Sequence, residues 1–308
     1  MADMLPVVGR RRALTALALA AVLPQAAQAS QRMSVLSFNV LAPLWAAPRW
    51  YPERMDPALL DRTFRRGCIT AFLRDAGRSR DIVCLQEVEA GEMPFYEQAL
   101  GGGYAGAFAS HDATYWANYL VPELPWVPNG NALFVRRTAL AELSFSDLSL
   151  GGTGNHAVLL SGVLAGSRRP LRVASVHLDA DRNNGRRIEF QSLLEQWPAA
   201  VGSVDLIVGD INEDTASGSL GGVVKRAGFA DVLAAVGNRE ATHPFSSSYN
   251  GATRWAIIDH VLARGATPRA GDVFDFGLWS ISDEVERIEA NFRACGSDHF
   301  PVAAELTV

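Results

Sequence analysis

Asp210, Asn212, Glu213 and Asp214 stand in the hexapeptide G-D-I-N-E-D at 209–214, directly after the apolar run Asp205-Leu206-Ile207-Val208. Oxygen donors at the end of a buried strand suit two tasks, the binding of a hard divalent cation and the orientation of a water molecule. The D-x-N-x-D spacing of Asp210, Asn212 and Asp214 imitates the start of a calcium loop. Its sixth position is Thr215 rather than Gly and its twelfth is Gly221 rather than Glu, so the loop fails as a self-contained ion site.

Partners for Asp210 and Asn212 must therefore come from elsewhere, and the sequence offers them at regular places. Asn39 closes the apolar segment S-F-N-V-L-A-P, Glu87 follows C-L-Q, Asn131 opens N-A-L-F-V, and His177 ends V-A-S-V-H. Asp259 and His260 lie in A-I-I-D-H-V, and Asp298-His299 in G-S-D-H-F-P. Taken singly, Glu87 reads as a solvated loop acid, His177 as a satisfied histidine and Asp259 as a turn cap. Repeated at strand after strand, such residues converge when strand ends share one edge of a sheet. Glu87 then suits Mg²⁺, which binds through one or two carboxylates and keeps several waters. A histidine beside an acid orients or deprotonates water, and amides hold phosphoryl oxygens as charge grows on them, roles that fit His299, Asp259, Asn212 and His177.

The elements that must position these groups alternate between strand and helix. Apolar runs of strand length occupy 35–40, 81–86, 132–135, 171–177, 206–209, 257–262 and 302–306. Asp56-Pro57 looks like an N-cap with Pro at the first helical position, and Leu60, Phe64, Cys68 and Phe72 recur every fourth residue, which predicts an amphipathic helix. A second helix is predicted over 186–197, with Ile188, Leu194 and Trp197 toward one side.

In this order the pieces F-N-V-L-A (38–42), L-Q-E-V (85–88), G-N-A-L (130–133), S-V-H-L (175–178), G-D-I-N (209–212), I-D-H-V (258–261) and S-D-H-F-P (297–301) resemble the endonuclease/exonuclease/phosphatase superfamily. That superfamily includes pancreatic deoxyribonuclease, apurinic endonucleases, neutral sphingomyelinases, inositol-polyphosphate phosphatases and the deadenylases. The opening motif and the helix before L-Q-E-V-E look most similar to the deadenylase, nocturnin and 2′-phosphodiesterase branch. The resemblance implies an α/β fold, a four-layer α-β-β-α sandwich of two mixed β-sheets flanked by helices, with the site at one end. It implies that Asn39 and Glu87 serve a Mg²⁺ site, Mn²⁺ being an alternative, with Asp298 close by. Asp210 and Asn212 would orient the water and hold phosphate, His177 would contact phosphate, and His299 would pair with Asp259. Whether His299 or Asp210 takes the proton is left open. Some members carry an acid two residues after the first Asn, where Leu41 stands here, so a second metal ligand at that point is absent.

Other residues carry blander expectations. His260 is assigned a structural role, His111 and His243 a surface or loop position, and Glu213 and Asp214 the solvated start of a connection. Arg186 and Arg187 read as a solvated helix start. Trp45, Trp50, Tyr51, Tyr115, Trp116, Tyr119 and Trp126 read as loop packing that flanks the cleft. Gly154-Asn155-His156 imitates part of a dimetal phosphoesterase motif, but the D-x-H and G-H-x-H companions are missing.

The bounds agree with an enzyme of this kind. The 308 residues are 48% hydrophobic and 20% charged, enough for one large domain. The formal charge is −5 with Lys225 the single lysine, which argues against broad, salt-driven wrapping of nucleic acid. Arg10, Arg11 and Arg12, the apolar stretch 13–23 and Ala27-Gln28-Ala29 form an export signal over 1–29, leaving one domain over 30–308. The apolar stretch is too short to span a bilayer. Export is thus expected, to the periplasm or the medium; the arginine run favours the twin-arginine route, but only modestly, since Arg10 stands where Ser or Thr is usual and Thr15 where an apolar residue is usual. Cys84 is a core residue; the three cysteines have no C-x-x-C spacing, and a Cys68–Cys295 bridge after export is an open alternative that is not favoured.

The expected activity is metal-dependent hydrolysis of a phosphodiester by water attack. A nucleic acid or nucleotide is the favoured substrate, a phospholipid or sugar phosphate the alternative. A binding module that had lost catalysis is the contrasting class, and retention of Glu87, Asp210 and His299 speaks against it. No stable protein partner is implied, and a monomer is expected.

Overall fold

The computed structural model describes residues 30–112, 127–243 and 256–308. The expected export signal and the aromatic residues Tyr115, Trp116, Tyr119 and Trp126 lie outside them. The first sheet contains β1 (Arg32–Asn39), β2 (Ile82–Glu89), β3 (Tyr104–Ser110), β4 (Asn129–Arg136), β11 (Thr267–Val273) and β12 (Val302–Thr307), in the order β11-β12-β1-β2-β4-β3. The second contains β5 (Leu140–Ser149), β6 (His156–Leu164), β7 (Pro170–His177), β8 (Val204–Asp210), β9 (Ala230–Asp231) and β10 (Asp259–Arg264), in the order β5-β6-β7-β8-β10-β9. Both sheets are mixed: β1 and β2 run parallel, as do β7 and β8, while their other neighbours are antiparallel.

The two sheets repeat one plan. β1-β2-β4-β3 in the first sheet has the same sequence of neighbours and directions as β7-β8-β10-β9 in the second. Asn39 at the end of β1 thus corresponds to His177 at the end of β7, and Gln86 and Glu87 in β2 to Asp210 closing β8. The repeat is one of topology, with no matching period in the sequence.

Period-two alternation explains the layering. Along β2, Ile82 and Cys84 enter the core between the sheets, while Val83 and Leu85 face outward. Leu206 and Val208 of β8 enter that same core, and Ile207 faces away from it. Both faces of the central strands are covered, which is why they read as continuous apolar runs. The outer face of the first sheet is covered by α1 (Arg62–Asp75) and α2 (Met93–Leu100) through Phe72, Leu73, Tyr96 and Leu100. On the second sheet, α3 (Asn183–Gln196) and α4 (Gly221–Arg226) place Phe190, Leu193 and Val224 against Ala174, Val176 and Ile207. The short α5 (Val232–Ala235) adds Val232 and Leu233 to the central core, and α6 (Glu284–Cys295) packs Ile288 and Phe292 on the loop after β1. The architecture is the expected α-β-β-α sandwich.

Local expectations are corrected in three places. Asp56 caps only the 3₁₀ turn Pro57–Leu60, and α1 begins after Asp61, whose carboxylate accepts from Phe64 N at 2.9 Å. The buried stripe of α1 is Arg65, Ile69, Phe72 and Leu73, so Phe64 points outward. In α3, Ile188 is exposed while Arg186, Glu189, Phe190 and Leu193 are buried, because Arg186, paired with Glu213, and Glu189, which accepts from Asn155 Nδ2 and Asp179 N, occupy part of the inward face. Cys84 is a core residue as expected, and all three cysteines are free thiols. Among the described residues, no helix is long and apolar enough to cross a membrane.

Candidate active site

Asn39 begins the site with a turn. Its side-chain Oδ1 accepts from Leu41 N at 2.9 Å, and Leu41 takes a left-handed backbone with φ of 58°. A non-glycine residue holds that conformation only when its surroundings fix it. Here Arg65 of α1 donates to the carbonyls of Val40, at 2.6 Å, and Leu41, while Leu41 buries its side chain beside Tyr51 and Phe292. The turn aims Ala42 N at Glu87 Oε2, 2.7 Å away.

Glu87 is presented by an irregularity in β2. The pairing with β4 slips between Leu85 and Val88, and Glu87 adopts φ of 59° within the slip. Such bulges re-aim a side chain next to an active site. Its other oxygen, Oε1, accepts from Asn39 Nδ2 at 2.9 Å, and Nδ2 also donates to Asp210 Oδ2 at 3.1 Å. Asn39 therefore bridges the two carboxylates and keeps them apart.

Asp210 owes its position to Gly209. A Cβ at 209 would lie 1.9 Å from the Val176 carbonyl oxygen, so the close approach of β7 to β8 requires glycine there. Asp210 Oδ1 accepts from Asn212 N at 2.8 Å, and Asn212, with φ of 56°, donates Nδ2 to the Leu178 carbonyl at 2.9 Å. The second oxygen of Asp210 is the hub. Besides Asn39, it faces His177 Nε2 at 3.6 Å and His299 Nε2 at 3.8 Å, gaps too wide for direct hydrogen bonds, so three polar side chains converge on this oxygen.

Asp259 is paired with Asp210 in the ladder between β10 and β8. Its Oδ2 meets His299 Nδ1 at 2.9 Å. His299 lies in the loop between α6 and β12, which is pinned from three directions. Ser297 Oγ donates to the Asn39 carbonyl at 2.7 Å, Asn291 of α6 donates to the Ser297 and His299 carbonyls, and Phe300 N donates to the Thr242 carbonyl at 2.7 Å. Burial pushes the His299 pKa down, but Asp259, with Asp210 and Asp298, outweighs it and the value is pushed up to about 10. The imidazole is thus a cation at neutral pH, donating Nδ1–H to Asp259 and offering Nε2–H to the cleft.

Asp298 joins from the other side of His299. Tyr51 donates its hydroxyl to Asp298 Oδ2 at 3.1 Å, and His243 Nε2 lies 3.8 Å from the same oxygen. Burial raises the Asp298 pKa, but His243, His299 and Arg65 outweigh that and hold it down at about 2. Burial and the nearby Asp298 carboxylate push the Tyr51 phenol well above its ordinary range, so it stays a donor.

The eight residues singled out in the sequence, Asn39, Glu87, His177, Asp210, Asn212, Asp259, Asp298 and His299, therefore meet at one end of the sandwich. The donor set fits a hard cation: oxygens predominate, and Asp259 Oδ1 and Asp298 Oδ1 are buried without a protein partner. Tyr51 and His243 are additions that the sequence does not announce, since neither lies in a strand-end motif. Other expectations are corrected. His111 is buried, not superficial, with its ring 6.3 Å from that of His177, and His156 N donates to its Nδ1 at 3.2 Å. Glu213 is buried as well, accepting from Arg186, Ser219 and Leu220, so neither Glu213 nor Arg186 is a solvated end. His260 has the structural role expected, between Asp231 Oδ2 at 2.7 Å and the Glu213 carbonyl at 3.0 Å.

The model of the Endonuclease/Exonuclease/phosphatase family matches residues 36–299, a span that runs from just before Asn39 to His299. The chain belongs to the endonuclease/exonuclease/phosphatase family. Family members of known structure share its fold at low identity. The endonuclease/exonuclease/phosphatase from Bacteroides vulgatus superposes with a TM-score of 0.63 at 15% identity, covering 90% of this chain and 98% of that one. ANGEL2, described as a 2′,3′-cyclic phosphatase, gives 0.59 at 17% identity over 90% of this chain and 95% of its own. TDP2 of D. rerio, solved with a single strand DNA product, gives 0.57 at 14% identity, covering 90% of this chain and 100% of that one. No curated protein matches the sequence significantly.

Proposed function

We propose that the protein is an exported, divalent-metal-dependent phosphoesterase that hydrolyses a phosphodiester by direct attack of water. One observation carries the reading: Asn39, His177 and His299 converge on Asp210 Oδ2 at 3.1, 3.6 and 3.8 Å, so one carboxylate and three nitrogen-bearing side chains rim a single point of the cleft. A water bound against that point donates a proton to Asp210, the available base. His299, a cation backed by Asp259, and His177 face the phosphoryl oxygens, where negative charge grows in the transition state.

Glu87, with Asn39 and with Asp298 nearby, would hold Mg²⁺ or Mn²⁺. When bound, the cation neutralises charge on a nonbridging oxygen and orients the ester. Asn212 fixes Asp210 through its backbone N–H and keeps one amide hydrogen for the substrate.

A nucleotide or nucleic acid is the favoured substrate class. Supporting it, two neighbours of the same fold are described with adenosine-2′,3′-vanadate and with a single strand DNA product. The acidic chain suits a short, locally gripped substrate better than a long wrapped one. The N-terminal Arg-rich and apolar segment supports export, and a monomer is proposed.

The test is hydrolysis of single-stranded RNA, DNA, sphingomyelin and a chromogenic phosphodiester, with Mg²⁺ or EDTA, beside His299→Ala. Cleavage of a nucleic acid or the diester that EDTA and His299→Ala both abolish is the expected result. Four intact substrates in the presence of Mg²⁺ and Mn²⁺ would end the catalytic reading, and cleavage of sphingomyelin alone would move it to lipids.

A further inference from the structure

His243 was not expected at the site, and its chemistry differs from that of the residues around Glu87. His243, Asp298 and His299 each place one ligating atom within 4.8 Å of the others. The rings of His243 and His299 stand edge to face with centroids 4.7 Å apart, and His243 Nε2 is 3.8 Å from Asp298 Oδ2. Asp298 Oδ1 is buried without a protein partner. The outer supports are already in place. Asp259 takes His299 Nδ1–H, so Nε2 is the ligating nitrogen once the metal displaces its proton to solvent, and Tyr51 steadies Asp298. Metal-binding histidines are oriented by such carboxylates. Thr242 and His243 both donate backbone N–H groups to the Ala256 carbonyl, at 2.9 and 3.1 Å, which fixes the strand that carries the imidazole.

We propose that His243, Asp298 and His299 form a transition-metal site, distinct in its nitrogen donors from the oxygen-donor site at Glu87 although Asp298 borders both, and that Zn²⁺ occupying it silences the enzyme. Two imidazoles and one carboxylate, with a fourth position open to water, are a zinc donor set, whereas Mg²⁺ is bound through oxygen. Ligand atoms around a tetrahedral zinc stand roughly 3.3 Å apart, so small side-chain rotations close the present spacing. The side chains are 17%, 14% and 8% exposed, so the ion has a path in from solvent. The inhibitory half rests on the proposed function, because it holds only if His299 acts through the Nε2 that zinc would take.

Co²⁺ reads the site directly. Chelator-stripped protein in excess Mg²⁺ is titrated with Co²⁺ and then Zn²⁺, following the visible ligand-field bands that a nitrogen-ligated, low-coordinate Co²⁺ gives strongly. Bands that Zn²⁺ bleaches are expected, at one equivalent. His243→Ala and His243→Gln, each checked by circular dichroism for wild-type folding, should lose the bands and bind Zn²⁺ at least tenfold more weakly in competition with a chromogenic chelator. Glu87→Gln should keep the bands. Wild-type protein without bands, or both His243 variants holding Zn²⁺ as tightly as wild type, would overturn the site. Hydrolysis inhibited by Zn²⁺ in wild type and resistant in the His243 variants is the expected catalytic result. Zinc binding with undiminished hydrolysis overturns the inhibitory claim alone, and zinc binding without any hydrolysis of the substrate panel counts against the proposed function and not the site.

Discussion

His299 Nδ1 and Asp259 Oδ2 meet at 2.9 Å although the two residues are 40 positions apart in the chain. The pair sets the charge of the imidazole that faces Asp210. Replacing Asp259 with Asn removes the leading attraction, so the His299 pKa should fall from about 10 toward the ordinary histidine range. The high-pH limb of kcat/KM should move to lower pH with it, and NMR of the ring should report the same shift. The sign for stability follows. A raised histidine pKa contributes stability that is fully present below the unfolded value of about 6.5. That contribution is lost as pH rises through about 10. The wild type should therefore weaken in alkali over that window, and Asp259→Asn should weaken less steeply.

Asn39 separates Glu87 from Asp210 with one amide nitrogen. Asn39→Asp removes the donor and adds a third carboxylate, so the metal-free protein should lose several kcal/mol through like-charge repulsion in a buried setting. Added Mg²⁺ should restore part of the loss, and the thermal midpoint should become strongly Mg²⁺-dependent. A midpoint that Mg²⁺ leaves unmoved would contradict the arrangement.

Glu87→Gln keeps the shape and, through its one oxygen, the bond from Ala42 N, but it removes the charge and the acceptor for Asn39 Nδ2. Hydrolysis should fall by about 10²-fold or more, with the Mg²⁺ concentration for half-maximal rate rising, as expected when a principal ligand charge is lost. Melting temperature should fall modestly, since the buried Asn39 amide loses one acceptor. Rates measured across a Mg²⁺ titration check both statements.

Arg65 holds the left-handed turn at Leu41 through its guanidinium fork. Arg65→Lys cannot span Val40, Leu41 and Gly296 together, so stability should drop by about 2–3 kcal/mol. Activity should fall as well, since Ala42 N would no longer meet Glu87. A denaturant melt and a rate measurement on one preparation suffice.

Much of this site is legible before folding because strand-end residues sit in fixed relation to apolar runs. Asn39, Glu87, His177, Asp210 and His299 each follow or precede such a run, and the pairing of β1 with β2 and of β7 with β8 gathers them. Strands at the margins were harder to read. β5 carries polar residues through most of its length, β11 contains Pro268 and Gly271, and β3 is half-exposed. The apolar stretch in β6, 157–160, carries a strand signal of its own, although no site residue marks it. Tyr51 and His243 reach the site from connections, where no periodicity marks a functional side chain. Glu213 and His111 look solvated in sequence because charge and polarity are local, whereas the partners that bury them lie far along the chain.

The matched plans of β1-β2-β4-β3 and β7-β8-β10-β9 put half of the site on each sheet. Glu87 and Asn39 come from one, His177, Asp210 and Asp259 from the other, so the proposed cation ligand Glu87 and the proposed base Asp210 lie on different sheets. On the proposed function, hydrolysis is a conjunction of two inputs, on only while the sheets remain seated against each other. A ligand or substitution that slides one sheet past the other by even an ångström would act as an off switch long before the chain unfolds.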